Sequence, residues 1–320
     1  MRICRFAREG ASGAAFYDDS YVVPIKHAAN AFHEATGETL VLPESDKLIE
    51  FLPPDGSARA ATQKLHDWLQ QQSDAAVGLR LTHDSIELLV PIARPNKIFL
   101  LAGNYAAHVE EGGEIAAERA ETFPYVFMKP PTTTLTNPGS PIRIPSISPD
   151  TIDWELELAV IIGRNAKGVS ETDALNYVAG YTVINDISNR RFRPNADRKK
   201  RDKDGFFDWL HGKWHDSFCP CGPCIASADS IADPQQLEFK LRVNGDLKQD
   251  GSTSQQIFPV AAVIEFISSF VTLEPGDIIS TGTAAGVGNT TGTYLKPGDV
   301  IEASISSIGT LISPVTDDAG

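Results

Sequence analysis

The sequence has little of what marks secreted or membrane-bound proteins. Only 4 of its 320 residues are cysteine, which fits free thiols in a reducing compartment better than a disulfide framework. No apolar run approaches the roughly 20 residues of a membrane-spanning helix. Residues 1–16 lack the apolar core of a secretory signal. We therefore expect a cytoplasmic protein without a membrane partner.

An excess of basic residues is also missing. The chain has 28 Lys and Arg against 42 Asp and Glu, which gives a formal net charge of −14. A field of that sign repels phosphate backbones and anionic lipids, so we expect no nucleic-acid partner. What the chain does have is 42% hydrophobic residues, 25 Gly and 21 Pro, the composition of a globular protein with many turns.

The sequence pattern changes near residue 90. The first part combines two helical patterns with two strand patterns, the second of which is interpreted as a single strand over 14–25. In the second part, short apolar runs are separated by Pro-Gly and Gly-Asp turns, and the clearest helix covers 259–271. The sequence predicts an α+β protein, mainly β, with a small N-terminal domain (1–90) and a larger domain (91–320).

Two carboxylates enter an otherwise apolar strand in "DWELELAVIIG". Because side chains alternate along a strand, Glu155 and Glu157 share one face. A second apolar stretch, "YVAGYTVIND", ends at Asp186, so three acids from two strand ends could converge. Such oxygen ligands suit Mg²⁺, and a bound cation would compensate buried like charges. The alternative is a rim of the sheet where the acids meet water.

A histidine and an acid lie three residues apart in "NYAAHVEE". On one helical turn His108 and Glu111 share a face, so the carboxylate could orient the imidazole. Such a histidine is a candidate base for the activation of water. The alternative is an ordinary surface histidine near acids.

Seven motifs resemble the fumarylacetoacetate hydrolase family over residues 97–311. In the family's order they are "LAGNYAAHVEE", "FMKPPTTTL", "DWELELAVIIG", "YTVINDISNR", "GKWHDSFCPCGP", "VNGDLKQDGSTSQQIF" and "TLEPGDIISTGTAAGVG". The resemblance implies the family's fold, a C-terminal mixed β-roll with a smaller N-terminal domain, and a homodimer. It also implies Mg²⁺ or Mn²⁺ bound by Glu155, Glu157 and Asp186, and a water-activating dyad of His108 and Glu111.

The resemblance assigns further residues to the surroundings of a substrate. Lys213, in "GKWHDSF", matches a lysine that contacts the substrate, and a cation there can stabilise an enolate. Thr283 matches a threonine near the ligand carboxylate, and Gly282 beside it allows close backbone approach. Lys129 could lie near the site, although a structural role ranks higher. Ala284 stands where the family usually has Pro, which removes no functional group.

One segment departs from the family's pattern. After Asp186 the family commonly continues Ser-x-Arg-Asp-x-Gln, whereas this chain has Arg191 in place of the acid and Arg193 in place of the amide. Arg193, with Arg190 close by, could therefore bind the far-end carboxylate of a dicarboxylic substrate such as fumarylpyruvate. Residues 190–203 hold eight of the 28 basic residues, so a solvated loop or helix is the alternative.

Three cysteines crowd together in "FCPCGPC". Cys219, Cys221 and Cys224 could suggest a zinc or iron–sulfur site. Cys4 is the only other cysteine, and no histidine follows at ligand spacing. In the family this motif lies on a buried strand, so we do not expect a thiolate metal site.

The resemblance implies an enzyme similar to acylpyruvate hydrolases and 2-hydroxyhepta-2,4-diene-1,7-dioate isomerases. We expect metal-dependent cleavage of the C–C bond of a small anionic 2,4-dioxo acid, which gives pyruvate and a carboxylate. Decarboxylation of a β-oxo acid such as oxaloacetate, or isomerisation of an unsaturated 2-oxo diacid, would use the same site. A catalytically silent metal-binding protein is the alternative of another class.

Overall fold

The structure, a computed structural model, describes residues 1–72, 77–113 and 115–318. Strands dominate this part of the chain. In chain order the strands are β1 Arg2–Arg8, β2 Ala11–Tyr17, β3 Tyr21–Pro24, β4 Leu81–Thr82, β5 Glu87–Leu89, β6 Ile98–Ala102, β7 Tyr125–Met128, β8 Leu135–Thr136, β9 Ile142–Ile144, β10 Ile152–Asp153, β11 Leu156–Ile162, β12 Val178–Asn185, β13 Ser188–Asn189, β14 Cys219–Ser227, β15 Glu238–Val243, β16 Asp246–Ser252, β17 Ile278–Thr283, β18 Val300–Ile305 and β19 Gly309–Asp317.

Helices are fewer and mostly short. Over the same described residues they are α1 Ile25–Thr36, α2 Arg59–Gln70, α3 Ala106–Glu111, α4 Asp204–His211, α5 Val260–Phe270 and α6 Gly288–Thr291. The prediction of an α+β protein that is mainly β is confirmed, and α5 coincides with the helix predicted over 259–271. Within the described ranges, no helix combines the length and the apolar character that crossing a membrane requires.

A large sheet carries β11 and β12 near its middle. For the part of the chain that the structure describes, the strand order is β4-β3-β2-β1-β14-β12-β11-β17-β6-β7, with β5 added to β1 and β8 added to β14. The first strand of the chain pairs with β14, where Arg2 lies opposite Ala226 and Ile3 opposite Ile225. The N-terminal strands therefore extend the sheet that contains β11. A domain boundary near residue 90 stays a prediction.

Hydrophobic layers cover both faces of β11, and every residue of this strand is buried. Leu156 and Leu158 belong to a cluster that includes Leu241 of β15, whereas Ala159 and Ile161 belong to a second cluster on the other face. The second cluster takes in buried side chains of α1 and α2. This double coverage explains the nearly continuous apolar run in the sequence. It leaves the ends of the strand as the places where polar groups can reach a cavity.

A smaller sheet packs over one of these faces. Its order is β16-β15-β18-β19-β9 among the described strands. In β15 the buried residues are Phe239, Leu241 and Val243, and the residues between them are exposed or half-buried. This period of two is typical of a sheet with one face on the core and one in water.

One predicted strand is a hairpin in the structure. The chain turns back between β2 and β3, where the Asp18 N–H donates to the Tyr21 carbonyl over 2.9 Å. The Ser20 N–H donates to the Asp18 carboxylate over 3.1 Å. The prediction of a single strand over 14–25 was wrong because an Asp side chain that bonds its own nearby backbone stabilises a tight turn.

Candidate active site

Three buried carboxylates meet where β11 begins and β12 ends. Antiparallel pairing places Leu156 of β11 opposite Asn185 of β12, so Glu155 and Asp186 flank the same edge. The Asp186 N–H donates to the Glu155 carbonyl over 2.8 Å. One oxygen from each of Glu155, Glu157 and Asp186 lies within 4.8 Å of the other two. The pairing of the two strands therefore produces the cluster that the sequence predicted.

An irregular pairing with β17 holds Glu157. Between Glu157 and Ala159 the register with β17 shifts, and this bulge turns two donors toward one carboxylate oxygen. Ser280 Oγ donates to Glu157 Oε2 over 2.6 Å, and the Gly282 N–H donates to the same atom over 2.8 Å. The other oxygen, Oε1, is buried without a hydrogen-bond partner among the described residues.

The unpartnered oxygen bears on whether the site suits a metal. A buried carboxylate oxygen without a donor is costly, and the donor set of three carboxylates is what a hard divalent cation prefers. The residues present therefore fit the metal that the sequence predicted, with Glu155, Glu157 and Asp186 as the residues that would hold it.

Three cations surround these acids. Lys213 Nζ lies 2.7 Å from Glu155 Oε2 and 2.6 Å from Asp186 Oδ2. Arg190 Nη2 lies 2.6 Å from Glu155 Oε1. Lys129 Nζ lies 2.5 Å from Asp186 Oδ1 and also donates to the Ile187 carbonyl over 2.9 Å. Lys129, which the sequence placed only near the site, thus contacts one of the candidate ligands directly.

Burial and the neighbouring charges shift the pKa values of Glu157 and Glu155 in opposite directions. Burial, followed by the charges of Asp186 and Glu155, raises the pKa of Glu157 well above its ordinary value. Burial also acts to raise the pKa of Glu155, but Lys213 and Arg190 outweigh it and hold that pKa well below its usual range. Without a further cation, the cluster therefore favours a proton on Glu157. A divalent ion would favour the ionised form of all three acids.

Helix α3 brings a histidine–glutamate pair beside the acids. His108 Nδ1 lies 2.9 Å from Glu111 Oε1, and the Glu111 carboxylate accepts the Gly286 N–H over 3.0 Å. Because an ionised carboxylate only accepts hydrogen bonds, the proton of the neutral imidazole belongs on Nδ1. This tautomer leaves the lone pair of Nε2 free to accept a proton from water.

A cavity of about 540 Å³ is lined by both the dyad and Glu155, whereas Glu157 and Asp186 lie outside its described lining. Its lining includes the predicted site residues His108, Glu111, Glu155, Arg190, Lys213 and Thr283. The volume is that of an ordinary small-molecule site. Thr283 Oγ1 donates to the Leu156 carbonyl over 2.8 Å and accepts from Gln249 Nε2 over 2.9 Å, so its hydroxyl already fixes the end of β17.

Two predicted substrate contacts are placed differently. Gly282 acts through its N–H on Glu157 and is not part of the lining that the described residues form. Arg193 has an exposed side chain and is likewise absent from that lining. The basic segment around it is anchored elsewhere, because Arg198 pairs with Asp204 and Asp208 of α4. The structure therefore places Arg193 at the surface and outside the described lining of this cavity.

Asp153 is a buried residue of the site that the sequence reasoning missed. Its carboxylate accepts Arg190 Nε over 2.7 Å, the Gly288 N–H over 2.6 Å and the Asn289 N–H over 2.9 Å. The alternation that grouped Glu155 with Glu157 extends one step back to this position, since all three have odd numbers. That spacing was the available signal.

The cysteine cluster is not a metal site within the described residues. Cys219, Cys221 and Cys224 are free and buried. Burial raises the pKa of Cys219 to about 12, so its thiol stays protonated at neutral pH. Over the ranges that the structure describes, the group of three or more His, Cys, Asp or Glu able to hold an ion is the acid cluster.

Comparison with known proteins agrees with the fold. The family model described as fumarylacetoacetate (FAA) hydrolase, C-terminal, matches residues 97–316. This chain belongs to the fumarylacetoacetate hydrolase family. Family membership confirms the resemblance stated from the seven motifs, and with it the mixed β-roll expected of the larger part of the chain.

Proteins with different named activities are similar to this chain. It is 41% identical over 238 residues to the mitochondrial oxaloacetate tautomerase fahd2 of Xenopus laevis, over 73% of this chain and 70% of that protein. The structure of 5-carboxymethyl-2-hydroxymuconate delta-isomerase from Mycobacterium smegmatis matches over the full length of both chains, with 27% identity and a TM-score of 0.69.

A third relative was solved with ligands. Maleylpyruvate hydrolase from Sphingobium sp. SYK-6, in complex with manganese(II) and pyruvate, covers 99% of both chains with 27% identity and a TM-score of 0.68. This manganese-bound relative and the acid cluster together support a divalent metal site in this chain.

Proposed function

We propose that this chain hydrolyses the C–C bond of a 2,4-dioxo acid, with Mg²⁺ or Mn²⁺, and releases pyruvate and a carboxylate. The observation that carries the proposal is that the His108–Glu111 dyad and the candidate metal ligand Glu155 line one cavity. Glu155, Glu157 and Asp186 would hold the metal. A bound divalent ion would supply Lewis-acid stabilisation of negative charge on the oxygens of the 2-oxo acid.

The chain's own residues supply the proton transfers. His108 Nε2 takes a proton from water, while Glu111 holds Nδ1 and stabilises the positive imidazolium. The resulting hydroxide attacks the 4-carbonyl, and the C3–C4 bond breaks with its electron pair moving into the enolate of pyruvate. His108 then returns its proton to C3. The Lys213 ammonium, whose pKa is raised by Asp186 and Glu155 against the effect of burial, stays charged to stabilise the enolate.

The direct test is a panel of 2,4-dioxo acids assayed for pyruvate release with Mg²⁺ or Mn²⁺, and again with excess chelator. The His108→Ala variant should lose about 10²–10⁴-fold in kcat, the usual contribution of a positioned base. His27→Ala, an exposed histidine of α1, is the matched control and should keep full activity. Hydrolysis that survives either the chelator or His108→Ala would contradict the proposal.

The similarity to oxaloacetate tautomerases favours a second candidate, proton transfer between the enol and keto forms of a 2-oxo diacid. The same dyad could move a proton at the carbon beside the carbonyl without breaking a C–C bond. Two measurements separate the candidates. A tautomerase accelerates loss of the enol absorbance of oxaloacetate without release of pyruvate, whereas the proposed hydrolase releases one pyruvate for each acylpyruvate consumed.

A further inference from the structure

The cavity lining combines charged, polar and apolar side chains. Glu155, Arg190 and Lys213 contact one another and form its charged end. The apolar side chains, here called the apolar wall, are Val109, Ile115, Phe123, Tyr125 and Phe258, and the lining also includes His108, Glu111, Asn289 and Thr290. A substrate whose 2-oxo acid group lies at the charged end can extend the rest of its carbon chain along this wall.

The aromatic side chains of the wall are held in place by packing against one another. Phe123 meets Tyr125 edge to face with ring centroids 5.5 Å apart and stacks on Phe266 at 6.1 Å. Phe123 and Tyr125 nevertheless remain 58% and 63% exposed. A ligand tail that covers these rings gains apolar burial without the cost of ordering them first.

The cations of the lining are already paired with acids. Arg190 is bound to Asp153 and Glu155, and Lys213 is bound to Glu155 and Asp186. Within the described lining, no other Lys or Arg faces the apolar wall. A second carboxylate at the far end of a substrate would therefore find no unpaired cation on the wall, and it would forfeit the apolar burial that an uncharged tail gains.

We propose that this cavity selects 2-oxo acids with an uncharged, apolar tail. The inference rests on the proposed function, since it takes the 2-oxo acid group to the charged end. It opposes the dicarboxylic substrate predicted from Arg193, whose side chain lies outside the lining. Each methylene buried along the wall should tighten binding about fourfold.

Binding of unreactive 2-oxo acids tests the inference without catalysis. The Mn²⁺-loaded protein is titrated calorimetrically with the straight-chain series from pyruvate to 2-oxooctanoate, and with 2-oxoglutarate and 2-oxoadipate. We expect dissociation constants to fall about fourfold per methylene over the first members. Each diacid should bind at least about tenfold more weakly than the monoacid of equal chain length.

A single substitution should reverse the preference. Phe123→Lys places a cation on the wall, so it should weaken 2-oxooctanoate and strengthen 2-oxoadipate by about tenfold each. Ile147→Lys is the control, because Ile147 is 69% exposed and lies outside the described lining. It should leave both constants unchanged.

The outcomes separate failure of the inference from failure of the proposed function. Constants that do not change with tail length, diacids that bind as tightly as monoacids, or a selective loss of 2-oxoadipate in Arg193→Gln would each overturn tail selection alone. If none of these acids binds the Mn²⁺-loaded protein, the proposed function fails and tail selection fails with it.

Discussion

Asp153 joins two parts of the site that are distant in sequence. Its carboxylate accepts hydrogen bonds from the Arg190 side chain and from the backbone N–H groups of Gly288 and Asn289, the first two residues of α6. The side chain of Asp153 is fully buried, so its carboxylate depends on these protein donors in place of water. Asp153 is therefore a positioning residue for Arg190, the cation at the charged end of the cavity.

Replacement of this carboxylate should affect binding more than chemistry. Asp153→Asn keeps the size but loses the charge and one acceptor, so we expect a stability loss of about 1–3 kcal/mol. Arg190 would keep only Glu155, and KM for a 2-oxo acid should rise about tenfold with a smaller change in kcat. Denaturant unfolding and steady-state kinetics measure the two effects. Asp150→Asn, an exposed neighbour, is the control, and an equal loss there would refute the assignment.

Residue patterns predicted the acids and the dyad, and the family resemblance added Lys213 and Thr283, but neither located Arg193 or found Asp153. Alternation along β11 was enough to put Glu155 and Glu157 on one face, and helical spacing was enough to pair His108 with Glu111. The position of Arg193 depends on the path of the segment after Asp186. That path follows from ion pairs with α4 that form only in the folded chain, so spacing could not reveal it.

At the scale of elements, the loop between β17 and α6 sets the geometry of the dyad. Its Gly286 N–H holds the Glu111 carboxylate, and its Gly286 carbonyl accepts the Trp154 indole N–H over 3.1 Å. Gly286 has φ of +100°, and a Cβ there would lie 2.1 Å from the Lys248 carbonyl oxygen of β16. The loop can approach β16 this closely only because residue 286 has no side chain.

A methyl group at this position should therefore disturb both stability and catalysis. For Gly286→Ala we expect a loss of about 2–4 kcal/mol, from the positive φ and the displaced loop together. Gly292→Ala is the matched control, since Gly292 also has positive φ (+67°) but open space around it. It should lose about 1 kcal/mol and keep its kcat. Similar losses of stability and kcat in the two variants would contradict this account.

Elements with strong apolar patterns were predictable, and elements defined by local polar bonds were not. The buried run of β11 and the helix α5 follow from periodicity alone. The hairpin at Asp18 depends on side-chain bonds to the backbone, and α4 begins directly after the basic segment 190–203, which the sequence allowed to be a loop or a helix. The bulge beside Glu157 arises from pairing with a strand more than 100 residues later, which no local pattern can encode.

At the scale of the whole molecule, a divalent ion should stabilise the fold. The acids lie at the ends of two central strands, β11 and β12. Repulsion between their charges therefore acts in a buried part of the large sheet. Mn²⁺ at about 100 times its Kd should add about 2.7 kcal/mol to the free energy of unfolding and raise Tm by several degrees. Scanning calorimetry with Mn²⁺ and with chelator measures the shift.

Two glutamine variants identify the origin of that shift. Glu157→Gln removes a candidate ligand and should abolish the rise in Tm with Mn²⁺. Glu302→Gln, an exposed strand residue of β18, should leave it intact. A shift that persists in Glu157→Gln would show that the ion binds elsewhere. The predicted homodimer stays a prediction, and the same scans at several protein concentrations would test it.

The pairing of β1 with β14 has a consequence for any attempt to isolate the part that matches the family. Deletion of residues 1–90 would strip β14 of its partner along Arg2 and Ile3 and uncover the side chains that α1 and α2 now bury. A row of N–H and C=O groups beside a fresh apolar surface invites other chains to add as strands. A shortened protein would therefore tend to aggregate before its activity could be measured. In the full chain, the N-terminal strands cover this edge and protect it from aggregation.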